Sequence, residues 1–589
     1  MAELAIAIVP LCLKLIFHSY QAFSEASELG KSSQKLFWRF KIQEARLRIW
    51  AKEWGLIDDH GNHQAGQLGR DVDDDKIVVE TLVRVSDLFR DHEQLRARYG
   101  LTLASDTESH SAANTPSLAT AIVDLATNPM APSATYNALH GNAALATAAK
   151  KDAELRAALE RMARPLAKLR WAVVDRTRFE AMITDLRDYN DGLYCLLSSV
   201  GRRRLRQALA PELIPGQKQA DVVHTLGAAS AEYADLASVA VLTAKRLQLE
   251  ATTSTLGPLD APDRLRIEGH RIEFDLQHTT PAVHQDRAIA FYTETPGAPR
   301  RVVLVEWKRY DKQLGEAIKQ QQLSRLRGLA HLLNIDHKPP YLQVPYCLGF
   351  VADEWHPRIG FVFEYGGYTP PWSLQDVLIS SAVPHVGDRF RLAHELCLSV
   401  CILHSAGWLH KGIRSENIIF SSPIPPHAGA ADAAALQLDN PLFLGFEYAR
   451  PDVLGAFSET IDNPSPQALL YRHPLCVDAG GRPRSRFEPA HDVYSLGVVL
   501  LEIGLWCSVE ALWSKGKYTE RLDSRFARHL CDHYAPQLGG KMGKIYMEAV
   551  TACLSGQYAN GNDIGPEAST PTQERFYWAV VNPLSKLVA

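Results

Sequence analysis

Residues Gly407 to Phe420 read GWLHKGIRSENIIF, a short polar loop followed directly by an apolar run. Phosphoryl transfer asks little covalent chemistry of a protein. It asks for a lysine on the phosphates, a glutamate to hold that lysine, magnesium ligands and a base for the accepting hydroxyl. Here the amide oxygen of Asn417 can supply one metal ligand. His410 and Lys411 lead into the loop, and the residue that follows them is Gly412. Glycine cannot accept a proton, and losing a positioned base costs about 10²- to 10⁴-fold in rate.

The other parts occur in order along the chain, several of them altered. The stretch VLVEWKRY offers Lys308 on an expected strand, and Glu316 is the only acid in the helix expected after it. Ahead of Lys308 there is no G-x-G-x-x-G; FYTETPGAPRR contains one glycine, Gly297. Such glycines let backbone N–H groups approach phosphate closely, so their absence weighs against tight triphosphate binding. Downstream, PLFLGFEYARP carries Gly445, Phe446 and Glu447, and HDVYSLGVVLLEIGLW carries Asp492.

Together these stretches resemble the protein kinase family. VLVEWKRY resembles the V-A-I-K strand and assigns Lys308 to the phosphates, with Glu316 as its ion-pair partner. His410, Lys411 and Gly412 align with H-R-D, and Asn417 with the magnesium-binding asparagine. Gly445, Phe446 and Glu447 align with D-F-G, which puts a glycine at the metal-binding aspartate. Asp492 aligns with the aspartate that holds the catalytic-loop backbone, and LLYRHPL (Leu469 to Leu475) occupies the A-P-E region without its glutamate. The resemblance implies a bilobal α+β kinase-like fold over residues 263–589 whose base, one metal ligand and glycine loop are gone: a pseudokinase. The expectation is no catalysis, no metal, and at most weak, metal-independent ATP binding through Lys308, Glu316 and Asn417. An atypical kinase using Lys308, Asn417 and Glu447 is the alternative.

The elements that must position these residues show in the texture of the chain. RLRIEGHRIEFDL, RAIAFYTE and RRVVLVEWKRY are β-rich. QLGEAIKQQQLSRLRGLAHLLN is helical, YLQVPYCLGFVADEWHPRIGFVFEYG reads as a β-hairpin, and helices dominate from Asp388 onward. Residues 421–437 form a Pro/Ala-rich insertion, and 251–262 (ATTSTLGPLDAP) an interdomain linker.

Residues 1–250 are patterned as helices instead. Ile77, Val78, Leu82, Val85, Leu88 and Phe89 recur at helical spacing, with Gly100 as the expected stop. Helical pattern resumes at Asp152, and a further helix is expected over Tyr233 to Leu249. Residues 102–149 are too poor in core-forming side chains to pack firmly. With 589 residues, 46% hydrophobic and 22% charged, the composition is that of a multidomain globular protein, and a net charge of −4 gives no basic field for nucleic acid. Nine cysteines show no zinc-type spacing; Cys195, Cys397, Cys401, Cys507 and Cys553 lie in apolar stretches and read as buried free thiols of a reducing compartment.

The N-terminal apolar helix, LFRDHEQLRARYGL and KLRWAVVDRTRFEAMITDLRDYNDGLYCLL resemble the fungal HeLo domain of prion-inhibition-and-propagation proteins. That resemblance implies an all-α helical bundle that self-associates, and, in members acting as cell-death effectors, a first helix that meets lipid after oligomerisation. The residues that would make this contact are Leu4, Ile6, Ile8, Leu11, Leu13, Ile16 and Phe17. The run MAELAIAIVPLCLKLIF is too short to span a bilayer, carries Pro10 and Lys14, and lacks the basic start of a secretory signal. The ordinary role of such a helix is core, and that of GRRRLRQ (Gly201 to Gln207) a solvated helix face; contact with anionic headgroups is the sharper reading of both. The expected whole is a cytoplasmic signalling protein, recruited to a membrane on activation, in which a pseudokinase restrains a HeLo-like bundle. A non-enzymatic scaffold is the other reading. The sequence does not identify a protein partner.

Overall fold

The structure is a computed structural model. It describes residues 2–26, 34–58, 64, 66–90, 101–103, 171–173, 176–253, 263–274, 287–309, 316–335, 338–353, 355–366, 371–380, 382–420, 438, 440–446, 449–451, 466–476, 486–516, 518, 524–558 and 572–588. The expected insertions therefore lie almost wholly outside the described residues, as do residues 91–100 and 254–262. The chain forms two compact units, one of residues 1–209 with 225–233, the other of 210–224 with 234–589.

The first unit is helical. Helices α1 (Ala2–Ala26), α2 (Gln34–Glu53), α3 (Val72–Arg90) and α4 (Arg176–Cys195) are followed by α5 (Ser199–Leu213) and α6 (Ala220–Ala229). The all-α expectation needs one amendment. Strands β1 (Leu101–Leu103) and β2 (Trp171–Val173) pair antiparallel, Leu101 opposite Val173, and so bring the two ends of the intervening segment together. The core is knit by four rings, one from each of the first four helices. Tyr20 lies 4.9 Å from both Phe40 and Phe89, and Phe40 lies 5.9 Å from Phe179. Edge-on and tilted ring pairs of this kind add to the burial of their apolar area. Arg46 on α2 is buried. It reaches Asp191 on α4 at 2.6 Å and lies under the Tyr194 and Tyr233 rings, which gives its charge a carboxylate and two aromatic faces. Cys195 departs from the sequence reading, being exposed at the end of α4, and Cys507 is only half-buried.

The second unit combines helices with antiparallel sheets. After residues 210–224, the end of α5 and the start of α6, it continues with α7 (Ala234–Thr253), whose Leu236, Val239, Ala240 and Thr243 are buried and which packs against α8 (Glu316–Leu333). Between them lie β3 (Ile272–Phe274), β4 (Arg287–Tyr292) and β5 (Arg301–Arg309). After α8 come β6 (Cys347–Ala352) and β7 (Arg358–Glu364), and the five strands form one antiparallel sheet in the order β3-β4-β5-β7-β6. β5 is central and buried from Val303 to Trp307, which suits its run of β-branched residues. Gly360 on β7 is required by this packing: a Cβ there would stand 2.6 Å from Val305 and 3.0 Å from the Trp307 ring.

Below the sheet follow β8 (Trp372–Ser373), α9 (Leu374–Ser380), α10 (Val386–Ser405), β9 (Trp408–Leu409), β10 (Ile418–Phe420), β11 (Leu442–Phe443), β12 (Arg450–Pro451), α11 (Pro466–Leu469) and α12 (Pro489–Leu505). α12 is buried along its length from Asp492 to Gly504. It starts with a reciprocal cap between Glu488 and His491 and has Pro489 in its first turn, where a missing N–H costs nothing. Among the described residues no single helix is long and apolar enough to cross a membrane.

Leu13 on α1 has no exposed surface. Leu13→Ala is expected to cost about 2–5 kcal/mol of the first unit's stability in urea unfolding. A loss under about 1 kcal/mol would mean that α1 is not held in the core at rest.

Candidate functional site

The polar loop runs from β9 to β10, and its base is fixed from below by α12. The Asp492 carboxylate is fully buried and accepts from the backbone N–H of His410 (2.7 Å) and of Lys411 (2.8 Å), with His404 at 3.2 Å. These bonds, together with His404 and His410 nearby, hold its pKa below the ordinary carboxylate value despite burial, which alone would raise it. The two N–H bonds also secure Lys411 at φ 63°, a left-handed conformation that non-glycine residues seldom adopt. His410 is buried against the rings of Phe446 (4.5 Å) and Phe443 (5.5 Å). Burial drives its pKa down to about 4, so the ring is neutral; its Nδ1 accepts the Gly412 N–H at 3.2 Å. It is a packing residue rather than a proton carrier.

Above the loop, the sheet contributes a buried ion pair, Glu306 and Arg287. Glu306, 2% exposed, accepts the Gly445 N–H with both carboxylate oxygens, at 3.0 and 3.1 Å. Arg287, directly opposite on β4, pairs with Glu306 at 2.9 Å. The same guanidinium donates to the Glu416 carbonyl (2.8 Å) and to Asn417 Oδ1 (2.6 Å). Asn417 Nδ2 donates in turn to the Gly412 carbonyl at 2.7 Å. The sheet, the polar loop and the segment after β11 are thus joined by one buried polar network.

Lys308 lies two residues beyond Glu306, opposite Ile359 on β7 and past the last rung of the β4–β5 ladder. Glu316 opens α8 and Glu447 follows Phe446, but the Glu316 side chain and Glu447 lie outside the described residues. Asn417 does come to Gly412 and Gly445, with its oxygen committed to a guanidinium. Arg287 and Glu306 were missed by the sequence reading. The acid itself was visible, closing the apolar run Val303-Leu304-Val305-Glu306. Arg287 needed the strand register, which no motif carries.

The two glycines are built into this closure. A Cβ on Gly412 would lie 2.6 Å from the Gly445 carbonyl oxygen, and one on Gly445 would lie 2.1 Å from Asn417 Nδ2. Gly445 also has φ +81°. A side chain at either position would collide with the network as it stands.

Residues 12–227 match the family model HeLo, described as prion-inhibition and propagation. The N-terminal part is a HeLo domain. No curated protein matches the chain. Of the HeLo residues assigned to lipid contact, Ile8, Leu13 and Ile16 are buried, Leu11 and Phe17 are half-buried and Ile6 is 42% exposed. The Leu4 side chain lies outside the described residues. In the basic cluster, Arg204 pairs with Glu53 at 2.9 Å, Arg206 donates to the Tyr194 hydroxyl at 2.8 Å and Arg202 lies over the same ring. Three of its four arginines are thus engaged within the HeLo domain's own helices.

Two outcomes test the site. Removing one member of a buried ion pair strands the other, so Glu306→Ala is expected to cost about 3–5 kcal/mol, while Arg287→Met with Glu306→Met together cost far less. Equal costs for the single and double variants in chemical unfolding would show the pair to be unimportant. The second concerns Glu502 on α12, buried, with one oxygen accepting from Tyr471 and Val509 and the other lacking a partner. Burial pushes its carboxyl from 4.5 up to about 8. The folded state then favours the protonated form, so stability falls as pH rises from about 4.5 through 8. Glu502→Gln is expected to flatten that decline in thermal unfolding; an unchanged pH profile would count against it.

Proposed function

We propose that this is a non-catalytic signalling protein in which a pseudokinase controls a HeLo domain, with a role related to prion inhibition and propagation and to cell death at a membrane. The observation that carries this reading is the closed cleft: Glu306, Arg287, Asn417 and the Gly445 N–H satisfy one another where a kinase would hold phosphates and metal. The sheet order β3-β4-β5-β7-β6, with a helix between its third and fourth strands in sequence, supports a kinase-like upper lobe. The buried Asp492 beneath the loop supports a kinase-like lower one.

In this reading the second unit is a two-state device. Its latched form restrains the HeLo domain, and a partner that binds the opened form better shifts the balance toward release. The regulated event is exposure of α1, whose apolar side chains are core at rest and meet lipid once freed.

Calorimetric titration of the full chain with ATP, with and without Mg²⁺, is expected to give no saturable binding; tight Mg²⁺-dependent binding would refute the closed cleft. Dye release from anionic liposomes tests the coupling. Wild type at rest is expected to be silent and Glu306→Ala, which opens the latch, to release dye. Silence from both, with self-association intact, would replace this reading with a scaffold.

A further inference from the structure

A second cluster lies outside the cleft. His473 and Cys476 stand three residues apart in the turn after α11, and His491 stands in the first turn of α12. One ligand atom from each lies within 4.8 Å of the others. A tetrahedral zinc, with bonds of about 2.0 Å to nitrogen and 2.3 Å to sulfur, holds its ligand atoms about 3.3–3.6 Å apart. Contraction by roughly an ångström at the widest pair therefore closes the site. We propose that His473, Cys476 and His491 bind a borderline-soft divalent cation, zinc in particular, which staples the segment after the cleft to α12.

Donor chemistry selects the ion. Two imidazoles and a thiolate suit zinc, whereas Mg²⁺ and Ca²⁺ require oxygen ligands. Access and rigidity are both present. The two histidines are half-buried and reachable from solvent, while Cys476 is 4% exposed beside Leu409 and Phe487. The rings are wedged in place: His473 packs edge-on to Tyr494 at 4.9 Å, and His491 lies 5.2 Å from Phe487. The staple would act next to the polar loop. Arg472 donates to the Lys411 carbonyl at 3.3 Å, and Asp492, the neighbour of His491, holds the N–H groups of His410 and Lys411.

Binding has a cost that the structure makes explicit. His473 Nδ1 accepts the Leu475 N–H at 3.2 Å, and His491 Nδ1 accepts the Glu488 N–H at 3.0 Å. Both rings therefore carry their proton on Nε2. To ligate through Nε2, each ring must move that proton to Nδ1; to ligate through Nδ1, each must release the backbone N–H. Either route breaks two ordinary hydrogen bonds, one of them long, against the formation of two zinc–imidazole bonds and one zinc–thiolate bond. The Cys476 thiol gives up its proton to solvent, the imidazoles stay neutral, and water completes the tetrahedron.

The test uses the full chain stripped with chelator and titrated with Co²⁺, then Zn²⁺. The expected result is one equivalent of tetrahedral Co²⁺ with a thiolate-to-cobalt charge-transfer band, displaced by Zn²⁺. Cys476→Ser is expected to abolish that band, His491→Gln to weaken binding about 10-fold or more, and Cys195→Ser, at an exposed thiol, to leave both unchanged. A second measurement does not depend on any variant folding: Zn²⁺ should protect Cys476 of the wild type from alkylation, mapped by mass spectrometry. No cobalt band, a band that survives Cys476→Ser, or alkylation of Cys476 at the same rate with and without Zn²⁺ overturns the proposal.

Discussion

The cleft of the second unit depends on one buried ion pair. Arg287 and Glu306 face each other across β4 and β5 with side chains 10% and 3% exposed. Taking two charges out of water is expensive, and their attraction offsets that only when the remaining donors and acceptors are satisfied. The cleft meets that condition. The Glu306 oxygens take the Gly445 N–H, and the guanidinium takes the Glu416 carbonyl and Asn417 Oδ1. The glycines at 412 and 445 follow from the pair, because only residues without Cβ let these segments approach closely enough to complete it.

Beneath this closed cleft the scaffold of the loop is intact. Asp492 still receives two backbone N–H groups, Lys411 is still held at positive φ, and His410 still stacks on Phe446. The two layers have separated. The lower one keeps the loop's shape through buried hydrogen bonds and ring packing. The upper one has its polar groups paired with one another.

Much of this was legible in the sequence, and the limits are physical. Helix and strand periodicity marked several of the helices of the first unit and the β-rich stretches that form the five-stranded sheet, because burial on one face leaves a repeat. Gly412 and Gly445 were singled out by the resemblance to the kinase family, which aligns them with H-R-D and D-F-G. That Arg287 sits opposite Glu306 depends on the strand register, which no local pattern carries. The β1–β2 ladder was missed for a related reason. Each strand has three residues, too few for a period, and the partners are separated by a long segment. The His473, Cys476 and His491 grouping was hidden similarly, since H-x-x-C is a common spacing and its third member comes from another element.

The packing of α1 sets the terms for any action at a membrane. Ile8, Val9, Leu13, Leu15, Ile16 and Tyr20 are all buried in the HeLo domain. Exposing each such side chain to water costs about 1.5–3 kcal/mol, so a freed helix in solution stands on the order of 10 kcal/mol above the packed one. Lipid, or the same face of another copy, recovers most of that by burying the same side chains again. Exposure of this face is therefore favourable only where an acceptor surface is already at hand. The stability of the first unit thus keeps the apolar face of α1 in the core in water.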